Sequence, residues 1–179
     1  QEYHRCFGCV DYVCSGEADE SFPRLVAALG GAPATLERRL AAIPGLVYRS
    51  RSGASLANRP ADPVQHMDAL PLPSFEAYFT QRSASQAAQQ VSPVLLFEAS
   101  RGCWWGAKSH CTFCGLNGHS MAYRRKSPER LLTELRHLIT HWHCPTLEAV
   151  DNILDMGYFD TVLPVLETLD LPGPVFFEV

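Results

Sequence analysis

From Val94 onward the sequence alternates between two kinds of pattern, and this alternation limits the folds open to it. "VLLFEAS" opens on four apolar residues and reads as a buried strand, and "SPERLLTELRHLITHW" is a helical pattern with Ser127 placed to cap it and Pro128 at its first position. "TLEAV" reads as a second strand and "YFDTVLPVLETL" as a second helix, which Pro164 must kink or delay. "PVFFEV" reads as a third strand. Strand, helix, strand, helix, strand at this spacing predicts a parallel α/β arrangement. In such folds, the loops leaving the C-terminal ends of the strands build the functional site.

The loop after the first of these strands, "SRGCWWGAKSHCTFCGLNG", places Cys103, Cys111 and Cys114 at the spacing C-x(7)-C-x(2)-C. Three thiolates suit a cubane iron–sulfur cluster, holding three irons and leaving the fourth open to a substrate. Gly102, Gly106 and Gly115 let the backbone wrap closely around sulfur, and Trp104, Trp105 and Phe113 would keep water away. Two rivals remain on spacing alone. One is a Cys3His zinc site completed by His110 or His119; the other is a set of unligated thiols.

Composition narrows the classes further. The 179 residues are 46% hydrophobic, enough for a packed core, and the net charge of −4 supplies no basic field for nucleic acid or a membrane surface. No apolar run approaches the roughly 18 residues of a membrane span, and no signal-peptide pattern opens the chain. Seven cysteines, an odd number at unequal spacings, argue against a disulfide framework and for a reducing compartment, hence a cytoplasmic location. The sequence begins at Gln1 and ends in a strand pattern, so a piece of a longer chain is expected.

Upstream, "VDYVCSGEADESFPRLVAALGG" reads as a strand, an acidic turn and an amphipathic helix closing on Gly30 and Gly31, one step of an open α/β sheet. "GLVYRSRSGASLAN" predicts a hairpin turning near Ser52 and Gly53. Five prolines between residues 58 and 93 predict a linker, with "SFEAYFTQR" its single helix. Cys14 falls inside a strand and Cys6 and Cys9 in a preceding loop, so a second metal motif there is disfavoured. "THWHC" at 140–144 suits a helix C-terminus without any ligand role. Arg124, Arg125 and Lys126 read as a solvated face, the rival being contact with the carboxylate of a bound ligand or with a peptide substrate.

"CWWGAKSHCTFCGLNG", followed by "MAYRRKSPERLL" and "DNILDM", resembles the radical S-adenosylmethionine (SAM) enzymes. More narrowly, it resembles the cobalamin-dependent group that matures ribosomally synthesised, post-translationally modified peptides (RiPP maturation radical SAM protein 1). "VDYVCSGEADESFPRLV" resembles the end of that group's cobalamin-binding domain. Most radical SAM proteins separate the first two cysteines by three residues; here seven intervene, as in the narrower group.

The resemblance implies an α/β fold in three parts. Residues 1–57 would end a Rossmann-like cobalamin-binding domain, 58–93 would be a Pro-rich linker, and 94–179 would form the first half of a partial TIM-type radical SAM barrel. It implies that Cys103, Cys111 and Cys114 ligate a 4Fe-4S cluster and that Phe113 lies against the adenine of SAM. Asp151 and Asn152 would face the methionine amino group, and Glu178 would border the same cavity. The implied reaction is C-methylation of a precursor peptide through a 5′-deoxyadenosyl radical and cobalamin, fed by an external one-electron reductant. The Asp-x-His-x-x-Gly motif of base-off cobalamin domains would fall upstream of Gln1.

Overall fold

The computed structural model describes residues 2–116 and 121–179, and the chain divides into two compact units, residues 1–64 and 65–179. In the first unit, α1 (Glu2–Cys6) precedes β1 (Tyr12–Cys14), α2 (Ser21–Leu29), a 3-10 turn and α3 (Leu36–Ala41). β2 (Leu46–Arg49) and β3 (Ser55–Ala57) follow. The predicted hairpin is present: β2 and β3 pair antiparallel from Val47↔Ala57 to Arg49↔Ser55, and the turn passes through Gly53 at φ +84°, a conformation that costs a residue without Cβ little.

The strand-then-helix step is also present, but its pairing differs from an open α/β sheet. β1 runs antiparallel to β2, Tyr12 opposite Tyr48 and Cys14 opposite Leu46, so the sheet order β1-β2-β3 is an antiparallel meander. Two helical legs, not one, separate β1 from β2, and the chain re-enters the sheet in the opposite sense. Leu25, Ala28, Leu40, Ile43, Leu46 and Tyr48 form its core. His4 is fully buried, with Nδ1 2.8 Å from Ser55 Oγ and Nε2 2.9 Å from the Asp11 carbonyl.

The second unit opens with a 3-10 turn at Met67–Ala69, then α4 (Glu76–Ser83) and α5 (Gln86–Gln89). Next come β4 (Leu95–Phe97), β5 (Ser100–Arg101), β6 (Arg124–Arg125), α6 (Pro128–Trp142) and β7 (Leu147–Ala149). α7 (Tyr158–Thr161), α8 (Leu163–Leu166) and β8 (Val175–Phe176) complete it. β4, β7 and β8 form a parallel sheet in that order, with Leu95 opposite Leu147 and Leu147 opposite Val175. α6 is capped as its sequence predicts: Ser127 Oγ accepts from the Arg130 amide at 3.1 Å, with Pro128 at its start. It packs Leu131, Leu135 and Leu138, all fully buried, among Leu95, Phe97, Leu147, Tyr158 and Val162. The second helical pattern divides at Val162, just before Pro164, whose ring cannot follow a continuous turn.

The proline-rich stretch belongs to this unit from residue 65 on. Phe79 stacks on Trp142 at 5.1 Å between ring centres, Phe75 meets the same indole edge-on at 6.3 Å, and Asp68 accepts from the Ser127 amide at 2.7 Å. Among the described residues, no helix is long and apolar enough to cross a membrane.

Candidate functional site

Beyond Phe97 the chain leaves the parallel sheet and enters the cysteine loop through a second, much smaller ladder. β5 and β6 pair antiparallel, Ser100 with Arg125 and Arg101 with Arg124, so the segment between them leaves and returns at one place. The Lys126 amide donates to Ala99 O at 2.9 Å and the Cys103 amide to Met121 O at 3.3 Å, extending the closure on both sides. Gly102, at φ +81°, sits where a Cβ would lie 2.3 Å from the Ala122 carbonyl oxygen; no other residue lets the two arms come so close.

Within the loop, Cys103, Cys111 and Cys114 are unbridged and half-buried. The Gly106 amide donates to Cys103 Sγ at 3.2 Å. Trp104 is held by its indole N–H on the Leu154 carbonyl at 3.0 Å. Trp105 is half-exposed and Phe113 is 91% exposed, so of the three aromatic residues expected to exclude water only Trp104 is anchored. His110 Nε2 lies 2.6 Å from the Leu116 carbonyl; His119 lies outside the described residues. Among the described residues, no three His, Cys, Asp or Glu side chains converge as a metal centre. The donor chemistry nonetheless fits an iron–sulfur cluster: three accessible thiols on one loop, closed at its base and already presenting N–H to sulfur.

Asp151, at the end of β7, is 5% exposed. Its Oδ1 accepts from the Ala99 amide at 2.8 Å and its Oδ2 from Ser100 Oγ at 3.1 Å, binding the end of the second parallel strand to the start of the loop. Burial raises its pKa, and the Ser100 and Ala99 amides and the Ser100 hydroxyl oppose that rise. Asn152 is exposed and its amide donates to the Gly102 carbonyl at 3.3 Å. Glu178 lies two residues past β8, exposed, with its backbone carbonyl accepting from Leu154 at 2.7 Å. Asp151 and Asn152 thus stand at the same sheet end as the loop's outgoing arm.

The raised pKa fixes the sign of a pH effect. A carboxyl whose folded-state pKa exceeds its unfolded value favours folding most below that unfolded value, here near 3.8, and the benefit is lost as pH rises through the folded value. Asp151→Asn removes this titration. The melting temperature of wild type should therefore fall relative to that of the variant as pH rises above about 4; parallel curves would contradict the assignment.

Of the basic run, Lys126 is withdrawn from solvent while Arg125 stays exposed. Arg125 pairs with Asp155 and lies 5.6 Å over the Tyr158 ring, and Lys126 is buried against Glu134, Nζ to Oε2 2.6 Å. Sequence reasoning missed Tyr123, Asp155 and Tyr158. Tyr158 donates to the Lys126 carbonyl at 2.7 Å from full burial, and Tyr123 to Asp155 Oδ2 at 2.8 Å. The one available signal was "DNILD", in which a second carboxylate follows Asp151 by four positions. Cys14 lies in β1 as expected and buried Cys144 places its Sγ 3.1 Å from the Pro93 carbonyl, whereas Cys6, expected in a loop, ends α1.

No family model and no curated protein matches the sequence. Solved structures do. That of the cobalamin-dependent S-adenosylmethionine radical enzyme OxsB, with aqua-cobalamin and S-adenosylmethionine bound, matches over 92% of this chain and 22% of its own, at 20% identity and a TM-score of 0.63. OxsB with aqua-cobalamin alone matches over 86% and 19%, at 21% identity and 0.59. The radical S-adenosylmethionine methyltransferase TsrM from Kitasatospora setae, with cobalamin and a 4Fe-4S cluster bound, matches over 94% and 32%, at 14% identity and 0.53. The likeness is one of fold: this chain has the mixed α/β fold of a part of cobalamin-dependent radical SAM enzymes. It spans about a fifth to a third of the length of these solved chains.

Proposed function

We propose that the chain is part of a cobalamin-dependent radical SAM enzyme and that Cys103, Cys111 and Cys114 are the ligands of its 4Fe-4S cluster. The observation that carries this reading is the placement of three unbridged thiols on one glycine-bearing loop, closed by its own ladder, directly after the first strand of a parallel sheet. The cluster, when bound, supplies the electron that cleaves SAM to methionine and a 5′-deoxyadenosyl radical.

The chain's own residues bind and orient. Asn152 and Asp151 stand at the loop's outgoing arm, where a SAM ammonium would find an amide oxygen and a carboxylate; a cation there would also relieve the cost of ionising buried Asp151. Phe113, exposed next to Cys114, offers a ring face to adenine, and exposed Glu178 borders the same sheet end. In this reading residues 1–57 end a Rossmann-like cobalamin domain and 94–179 begin a partial TIM-type barrel. The substrate is a precursor peptide undergoing RiPP maturation, methylated at carbon in the cytoplasm with electrons from an external donor.

The test supplies the intact protein, reconstituted without oxygen, with SAM, cobalamin, a one-electron reductant and a candidate peptide. Formation of 5′-deoxyadenosine supports the radical SAM reading, and a methylated peptide that requires cobalamin supports the finer one. Retained zinc with no 5′-deoxyadenosine would overturn both.

A further inference from the structure

Four contacts join the loop after β7 to the cysteine loop and its returning arm, and a fifth, within the loop after β7, orients the carboxylate that makes two of them. On the outgoing arm, the Asn152 amide donates to Gly102 O at 3.3 Å and Trp104 Nε1 to Leu154 O at 3.0 Å. On the returning arm, Tyr123 donates to Asp155 Oδ2 at 2.8 Å and Arg125 donates to Asp155 Oδ1. The fifth contact is indirect: the Gly157 amide donates to Asp155 Oδ1 at 2.8 Å and fixes the carboxylate in its own turn. The Asp155 side chain is 13% exposed and Arg125 43%, so the Tyr123 bond to Asp155 is better shielded from water and salt than the Arg125 pair. Burial, then the hydrogen bond to Asp155, push the Tyr123 phenol well up, which keeps it a donor.

The clamp has work to do because the loop's own base is slight. β5 and β6 are two residues each, and an isolated two-stranded ribbon is marginal even when longer. In the sequence, 22 residues, 102–123, separate its two strands. A cluster needs three sulfurs in fixed relation, and groups that orient metal ligands without touching metal commonly change metal affinity 10- to 100-fold when altered, by order of magnitude (about 10–100).

We propose that Asp155 is the positioning residue of the cysteine loop: its carboxylate gathers Tyr123 and Arg125 of the returning arm onto the segment that already holds Gly102 and Trp104 of the outgoing one. For metal binding, this rests on reading Cys103, Cys111 and Cys114 as cluster ligands; for the loop itself, it does not.

The experiment uses the intact chain in two states. Freed of iron, wild type, Asp155→Asn, Tyr123→Phe and, as a control on exposed α7, Asp160→Asn are compared by amide hydrogen exchange. Asp155→Asn and Tyr123→Phe should speed exchange at Cys103, Gly106, Ala107 and Cys114 by about tenfold and leave the amides of α6 unchanged, while Asp160→Asn should alter neither. After anaerobic reconstitution, Asp155→Asn should release iron to a chelator about tenfold faster than wild type. Unchanged loop exchange in both clamp variants overturns the proposal, as does equal acceleration throughout α6, which would make Asp155 a support of the whole unit. If wild type takes up no iron yet the exchange contrast persists, the clamp stands and the metal reading falls.

Discussion

Replacing Cys103, Cys111 and Cys114 together by Ala in the intact protein should abolish uptake of the roughly four irons per chain that anaerobic reconstitution supplies to wild type. Iron and acid-labile sulfide analysis measures it directly. The expectation follows from where the seven thiols lie. Cys144 is buried with its Sγ on the Pro93 carbonyl, Cys14 is part of β1, and Cys6 and Cys9 stand apart from the loop in sequence and in the other compact unit. Cys103, Cys111 and Cys114 share one loop, and Cys103 already accepts an amide hydrogen bond. Replacing Cys6, Cys9 and Cys14 should leave the iron count intact. If it does not, or if the triple variant still takes up iron, the ligand set is misassigned.

The second large effect concerns a charge pair that nothing in the composition announces. Lys126 and Glu134 are 3% and 1% exposed and meet at 2.6 Å, with Arg130 3.6 Å from the same carboxylate oxygen. Removing one member strands the other in a site without water, so Glu134→Leu should cost about 3–5 kcal/mol in a denaturant titration of the protein. Replacing both, as Lys126→Met with Glu134→Leu, should recover most of that loss, because matched apolar side chains fill such sites at little net cost. Arg130 can swing toward solvent, its side chain being already 17% exposed. A double variant no more stable than Glu134→Leu alone would mean that the pair organises the turn into α6 and does more than neutralise itself.

The features that could be read from the sequence were local ones. The Ser127 cap, the break ahead of Pro164, the glycine turn of the hairpin and the three strand patterns each depend on residues within a turn or two of one another, and each is where the pattern placed it. The cysteine loop was legible for the same reason, as a composition that few backbones other than a wrapped loop can use. Features set by distant partners were not legible. Lys126 looked solvated because its partner Glu134 lies beyond the start of the next helix, and the pairing of exposed Arg125 was hidden because Asp155 lies past a second strand. Phe75 and Phe79 looked like linker residues because their partner, Trp142, lies at the far end of α6. The pairing of β1 failed to follow the strand–helix rule because the extra leg, α3, is too short for its consequence to show in hydrophobic period. Asp151 was chosen for its place at a strand end, and the structure adds what the place alone could not: both carboxylate oxygens engaged by Ala99 and Ser100.

The parallel sheet also sets an order of events along a growing polypeptide. β4 pairs with β7, Leu95 opposite Leu147, and the loop's holding contacts, Trp104 to Leu154 and Asn152 to Gly102, each span 50 residues. Closing a chain over such a distance costs entropy before any contact repays it, which makes parallel pairings late to form. The three thiols therefore leave the ribosome well before the segment that arranges them exists. During that interval they are unshielded thiols on a mobile chain, open to oxidation and to stray metal, and in the proposed reading the loading of this loop becomes a question of timing during synthesis as much as of affinity.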